Sequence, residues 1–308
     1  MITKKEIEYK NYGKCLEISN GLVRLVVTTE VGPRIINYSF IDGENVMFED
    51  LERVFKSEKD ALKEAYGNDS TWYIYGGHRL WTSPEASPRC TYPDNDPVQV
   101  TLTENGAILE APVQKWNQYA YTFEISMAET GPDVTILHRV TNYAAWDVNL
   151  AVWPITVLAP GGTEVIPQNT KDTGLLGNRL IALWPYTKMT DPRVTWGDAY
   201  ITLRQDATVP GNFKMGLDSE HAFAMYFNHG DLFLKRFDTV ENGKYPDGGM
   251  NFETYVCKLF LEMESLGELQ TIAPGASAEH TEYWSLYKEA LPTCNDEALD
   301  AVVKKYVK

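Results

Sequence analysis

The sequence predicts a mainly β protein, a large antiparallel β-sandwich with a few short helices, on three observations. Short runs rich in β-branched and aromatic residues recur about 8–15 residues apart, separated by Gly, Pro, Asn and Asp turn signals. Helical spacing of apolar residues is confined to two stretches. The chain has 308 residues, 44% hydrophobic and 12% aromatic, enough for one large core. No repeat, low-complexity linker or shift in composition divides it, so 1–308 reads as a single domain.

The strands follow in order. CLEI, the turn SNG and LVRLVVTTEV read as a hairpin. In RIINYSF, Ile36, Tyr38 and Phe40 alternate with Asn37 and Ser39, as on a half-buried strand. IDGEN is a turn and VMFE the next strand. Between 51 and 67, Leu51, Val54, Phe55, Leu62, Ala65 and Tyr66 fall at helical spacing and predict one or two helical turns. The segment 75–85, YGGHRLWTSPE, reads as a loop, because a Gly pair opens it and Pro84 closes it. Alternation returns in VQVTLTENGAILEAP, YAYTFEISMAE, DVTILHRVTN and DVNLAVWPIT. It continues in AYITLRQ, HAFAMYFN, DLFLKRFD, the run ETYVCKLFLEMES, LQTIAP and HTEYWSLYK. The tail predicts a helix over 295–307, capped by Asn295, with Leu299, Val302, Val303 and Tyr306 on one face.

Composition narrows function. The formal net charge of -15 and the absence of a Lys/Arg cluster argue against nucleic acid and anionic membranes as partners. No apolar run approaches the roughly 18 residues of a membrane span. MITKKEIEYKNYGK lacks the apolar region of a signal peptide. Cys15, Cys90, Cys257 and Cys294 are scattered, with no CxxC pair, which fits neither zinc nor a disulfide framework. A cytoplasmic protein is expected. No P-loop, GxGxxG, GxSxG or HExxH is present, so neither cofactor nor metal is expected.

Three clusters carry candidate chemistry. YGGHRLWTSPE offers a ring to stack on sugar C–H faces (Trp81), a guanidinium fork for hydroxyls (Arg79) and titratable groups (His78, Glu85). The plainer reading makes Trp81 core and His78 a satisfied polar residue. In FETYVCKLFLEMESLG, Glu262 and Glu264 are two apart and share one face of a strand, with Glu253 nearby. Paired carboxylates repel and burial raises at least one pKa, which suits proton transfer; the plainer alternative is a solvent-facing stripe on an edge strand. In DLFLKRFDTVENGKYPDGGMN, Lys235, Arg236 and Asp247 lie among aromatics, and Lys235 and Arg236 point to opposite faces of a strand. Trp153, Trp184 and Trp196 complete the set as core or ligand platforms.

These residues carry a resemblance. LEISNGLVRLVVTTEVGPRIINYSFIDGENVMF resembles the start, and FLEMESLGELQTIAPGASAEHTEYWSLY the end, of galactose-mutarotase-like (aldose 1-epimerase-like) domains. GGHRLWTSPE and YPDGGMNFETY resemble the marks of a family of uncharacterised, mostly bacterial proteins in that superfamily. The resemblance covers nearly the whole chain. It implies sugar anomer interconversion by acid/base catalysis without a cofactor, or non-catalytic carbohydrate binding on the same scaffold. It places the base on Glu262, or on Glu264 one strand repeat away, and the substrate-gripping Arg on Arg79. Trp153 stands where those domains carry a mid-chain His, and His78 is the substitute acid. His78, Arg79 and Glu85 are then expected to meet Glu262 or Glu264 over the concave face of a sheet, with Trp81, Trp153, Lys235, Asp247 and Glu253 around the sugar.

Overall fold

The computed structural model describes residues 1–68 and 70–307. In chain order the first strands are β1 (Thr3–Glu8), β2 (Lys14–Ser19), β3 (Val23–Thr28), β4 (Ile35–Phe40), β5 (Lys56–Ser57), β6 (Trp72–Tyr73) and β7 (His78–Ser83), with α1 (Asp60–Tyr66) between β5 and β6. The middle holds β8 (Gln99–Leu102), β9 (Gly106–Glu110), β10 (Tyr119–Met127), β11 (Val134–Asn142), β12 (Val148–Leu158), β13 (Thr163–Pro167), β14 (Ile181–Leu183), β15 (Val194–Trp196) and β16 (Tyr200–Arg204). The last are β17 (Phe213–Leu217), β18 (Phe223–Asn228), β19 (Asp231–Phe237), β20 (Phe252–Val256), β21 (Leu261–Ser265), β22 (Gln270–Ile272) and β23 (Ser277–Lys288), before α2 (Asp296–Tyr306).

Two large antiparallel sheets form the sandwich. One runs β1-β2-β3-β4-β7-β12-β21-β20-β17-β14, with β22 also on β12, and the other β15-β16-β13-β18-β19-β23-β11-β10-β9-β8. The core between them draws Ile18, Leu25, Tyr38 and Met263 from the first sheet and Phe123, Ile136, Phe233 and Trp284 from the second. β11 shows the period of two directly. Val134, Ile136, His138, Val140 and Asn142 are buried, and the residues between them are half-exposed.

The centre of the first sheet is different. β7 is buried along its whole length and β12 from Leu150 onward. Both faces are therefore covered, and the sequence there reads as an apolar run, LAVWPITVL, with no alternation. The outer face carries a second apolar layer in which Trp81, Trp153, Ile155 and Val157 pack against Leu62, Trp72, Ile74, Phe260 and Leu266. On the other sheet α2 covers the outer face, placing Leu299 and Val302 against Val165, Tyr200, Met225 and Leu234. Asn295 caps it as the sequence predicts, accepting from the Ala298 N–H at 2.9 Å.

Three expectations are corrected. YGGHRLWTSPE is not a loop: Gly76 and Gly77 take positive φ beside the Phe48 and Ile35 backbones, and the chain then enters β7. VMFE makes only isolated bridges, Met47 to Leu158 and Glu49 to Gly76, not a strand. ETYVCKLFLEMES is two strands, β20 and β21, joined through Cys257–Phe260 hydrogen bonding, and β21 lies between β12 and β20, not at an edge. No helix among the described residues is long and apolar enough to cross a membrane.

Candidate functional site

β7, β12, β21, β20 and β17 are neighbours in one sheet, so their outward residues form one surface. Register sets the rows: Ile155 pairs with Arg79 and Glu264, Glu264 with Glu253, and Glu253 with Gly216. Alternation then turns Arg79, Trp81, Trp153, Glu253, Glu262, Glu264 and Lys214 the same way. Over this face lies a cavity of about 310 Å³ whose lining includes Arg79, Trp81, Glu85, Trp153, Glu262 and Glu264. Its further walls are Lys59 and Trp72 beside α1, and Tyr186, Lys214 and Tyr255. The volume lies at the lower end of the roughly 300–1,000 Å³ typical of small-molecule sites.

The buried charges in the cavity are paired. Arg79 Nη1 donates to Glu262 Oε1 at 2.9 Å, and its guanidinium lies 4.4 Å from the Trp81 ring centre. Lys214 Nζ donates to Glu264 Oε2 at 2.9 Å and lies 2.7 Å from Glu253 Oε2, where it is close in charge but not aligned as a hydrogen bond. Trp153 Nε1 donates to the same Glu264 oxygen at 3.0 Å. Lys214 also rests 4.8 Å from the ring centres of both Trp153 and Trp184. Burial raises the Glu262 pKa, against the opposing pull of Arg79 and with the help of Glu264. Burial holds the Glu253 carboxyl well above its ordinary range, the Lys214 charge opposing. For Lys214 burial works downward, and the Glu264 and Glu253 carboxylates outweigh it and raise its pKa. Arg79 Nε, Trp72 Nε1, Glu264 Oε1 and Ser57 Oγ, all on side chains lining the cavity, are buried without a hydrogen-bond partner. Hydroxyl groups of a ligand are suitable partners for two such donors and an acceptor.

His78 and Lys235 are elsewhere. Because Arg79 faces the cavity, His78 next to it faces the sandwich interior, fully buried, and does not meet Glu262 or Glu264. There it joins a network whose protons are ordered by its partners. His138 Nδ1 donates to the His280 carbonyl at 3.0 Å, so His138 Nε2 accepts, at 2.7 Å, from His78 Nε2–H. His78 Nδ1 accepts from the Thr156 hydroxyl at 2.9 Å. Lys235 Nζ donates to Thr156 Oγ1 at 2.9 Å and to the Met263 carbonyl at 3.0 Å, and forms an ion pair with Glu282 Oε1 at 2.6 Å. Ser265 and Trp284 donate to the two Glu282 oxygens at 2.6 and 2.8 Å, and His280 Nε2 donates to Ser265 Oγ at 2.8 Å. His78, His138 and Glu282 bring three ligand-type atoms within 4.8 Å of one another. Those atoms already have protein partners, and the Lys235 ammonium holds the carboxylate, so the arrangement is complete without an ion. Burial drives all three histidine pKa values down, His138 and His280 to about 3 and His78 well below its ordinary value.

Of the remaining expected residues, Glu85 is an exposed rim residue of the cavity, and Asp247 is exposed, accepting from Ser83 Oγ at 3.3 Å. Lys214, Trp72, Tyr186 and Tyr255 were not singled out from the sequence. For Lys214 a signal exists: in FKMGL the apolar Phe213, Met215 and Leu217 alternate, which marks a strand with Lys214 on its other face.

The chain matches no family model and no curated protein sequence. Its fold is matched by solved structures. A TPR-domain containing protein from Parabacteroides distasonis ATCC 8503 aligns with a TM-score of 0.61 at 12% identity, over 91% of this chain and 48% of that one, so this chain spans about half of its length. A protein provisionally named aldose 1-epimerase from Klebsiella pneumoniae subsp. pneumoniae MGH 78578 aligns at 0.57 and 12% identity, over 99% and 86%. A galactose mutarotase-like protein from Lactobacillus casei ATCC 334 aligns at 0.54 and 9% identity, over 89% and 100%. At such identities the likeness is one of fold: this chain has the galactose mutarotase-like β-sandwich.

Proposed function

We propose that residues 1–308 act as one domain that binds a sugar or sugar derivative in the tryptophan-walled cavity and interconverts its anomers by acid/base catalysis. The observation that carries this reading is the pairing of Arg79 on β7 with Glu262 and of Lys214 on β17 with Glu264, both glutamates on β21, on one buried face of the sheet. Anomer exchange needs a proton taken from O1 and a donor at the ring oxygen. The ring then opens, turns about C1–C2 and closes on the other face. Glu262, with its pKa lifted toward neutrality, is the proton-transfer group. Lys214, held by Glu253 and Glu264, is the donor that stabilises negative charge at the ring oxygen. Trp81 and Trp153 flank the sugar, and Arg79 grips a hydroxyl with its free Nε–H. The fold shared with mutarotase-like proteins supports the reading, as does the resemblance of the FLEM strand.

Exchange NMR between α and β anomeric protons, over a panel of aldoses and uronic acids, tests it. Protein-dependent exchange that disappears in Glu262→Gln, with binding retained, is the expected result; full exchange in that variant sinks the assignment. One observation favours a second reading, carbohydrate binding without catalysis: among the described residues no histidine lines the cavity, and both central glutamates are engaged by cations. Line broadening without exchange is its signature, and unchanged affinity in Trp81→Ala counts against it.

A further inference from the structure

We propose that a second cavity beside the first extends it into a cleft for a glycan of two or more linked rings, with the reducing end in the first cavity. This rests on the sugar-site reading and names its substrate class. The second cavity has a volume of about 670 Å³ and is walled by Tyr66, Tyr92 and Trp116, with Lys115 and Asp96 at its edge. Tyr66 stands edge-on to both other rings, with centroids 5.1 Å from Tyr92 and 5.8 Å from Trp116. Trp116 is 53% exposed, so its ring is open to a ligand entering this cavity. The platform is held in place: the Tyr66 hydroxyl donates to the Pro88 carbonyl at 2.9 Å, and Tyr92 Oη accepts from the Lys115 N–H at 3.3 Å. Fixed rings lose little freedom when a ligand stacks on them.

The two cavities have no lining residue in common and adjoin through residues that are neighbours in the chain. Thr91 lines the first and Tyr92, its neighbour in the chain, the second. Lys59, just before α1, lines the first, and Ala65 and Tyr66 at the far end of the helix line the second. Seven helical residues span about 10 Å, a separation that linked sugar rings bridge and a single ring does not. Rings interleaved with a cation and a carboxylate suit a hydroxylated ligand better than a purely apolar one. Chemistry at O1 requires a free anomeric hydroxyl in the first cavity, so the additional rings lie toward Trp116.

Calorimetric titration and indole N–H spectra with mono-, di- and trisaccharides of glucose, galactose and mannose test the cleft. The expected result is at least one disaccharide or trisaccharide that binds tenfold or more tighter than its monosaccharide and shifts the Trp116 indole signal. Trp116→Ala then brings the longer sugar to the affinity of the monosaccharide, and Trp116→Phe, which keeps a ring, restores much of the gain. Monosaccharide binding with no gain along the series, or a gain untouched by Trp116→Ala, overturns the cleft and leaves the sugar site standing. No binding by any sugar, short or long, overturns both.

Discussion

Glu262 and Glu264 sit two residues apart on one strand, yet their surroundings differ: Glu262 faces the guanidinium of Arg79, and Glu264 faces the Lys214 ammonium and the Trp153 indole. Removing Arg79 leaves the Glu262 carboxyl buried beside Glu264 with no cation of its own. Arg79→Ala is therefore expected to lose about 3 kcal/mol in denaturant unfolding, the scale of a broken buried pair. Replacing Glu262 acts differently. A carboxyl whose folded pKa is raised binds more protons folded than unfolded at pH values above the unfolded pKa, so its contribution to stability falls as pH rises through that window. Glu262→Gln removes this effect, and the melting temperature of the variant, relative to the unaltered protein, should rise as pH increases above about 4.5. The same titration predicts that anomer exchange, which needs ionised Glu262, gains rate with pH along a limb above the ordinary carboxylate range. The two glutamates were legible in the sequence because two acidic residues at an offset of two share one face of an apolar strand, and Arg79 because it stands beside a Gly pair and a Trp, although that segment read as a loop. Tyr186 and Tyr255 were not, since their place in the cavity depends on long-range pairing.

At the scale of single elements, β7 shows how a strand divides its residues between two environments. His78 goes to the interior and Arg79 to the cavity, a consequence of the two-residue period that a loop assignment concealed. The Gly pair before β7 and the proline after it are genuine chain breakers, but they bound a strand whose two faces are both covered. His78→Leu should therefore lower stability and not abolish ligand binding. It leaves His138 Nε2 and the Thr156 hydroxyl short of a partner, at about 1–3 kcal/mol for each. Unfolding and titration of that variant side by side check the split. α2 was fully legible, because its cap, its acidic first turn and its apolar stripe are local signals. Asn295→Ala should cost about 1 kcal/mol without altering sugar affinity.

Across the whole molecule, buried titratable groups set the response to acid. His78, His138 and His280 stay neutral when folded and take up protons when unfolded below about pH 6.5, which removes stability as pH falls. Glu164, Glu253 and Glu262, with raised pKa values, bind more protons folded than unfolded and act in the opposite sense down to about pH 4.5. The two sets oppose each other between those limits. Below about pH 4.5 the raised carboxyls no longer oppose the histidines, which act at up to about 1.4 kcal/mol per pH unit for each. Asp191 and Glu220 remove stability in the same sense: burial works upward on their pKa values, but hydrogen bonds and nearby positive charge outweigh it and lower them in the folded state. Thermal unfolding should change little from pH 6.5 to 4.5 and then drop steeply toward pH 3. The sandwich itself was legible from strand spacing and turn chemistry. Its interior polar network was not, because His138, Lys235, His280 and Glu282 lie on three strands that only the sheet order β19-β23-β11 brings together.

The indoles around the first cavity have an optical consequence. Trp81 lies 5.3 Å from Trp72 and 5.6 Å from Trp153, centroid to centroid, and the rings are inclined by 53° and 68°. Aromatic chromophores so close and so skewed share their excitations, so the protein should show a split circular-dichroism couplet in the ultraviolet. Trp81→Phe should collapse it. A sugar that binds against these indoles should change its amplitude, giving a label-free signal of occupancy read directly from the walls of the site.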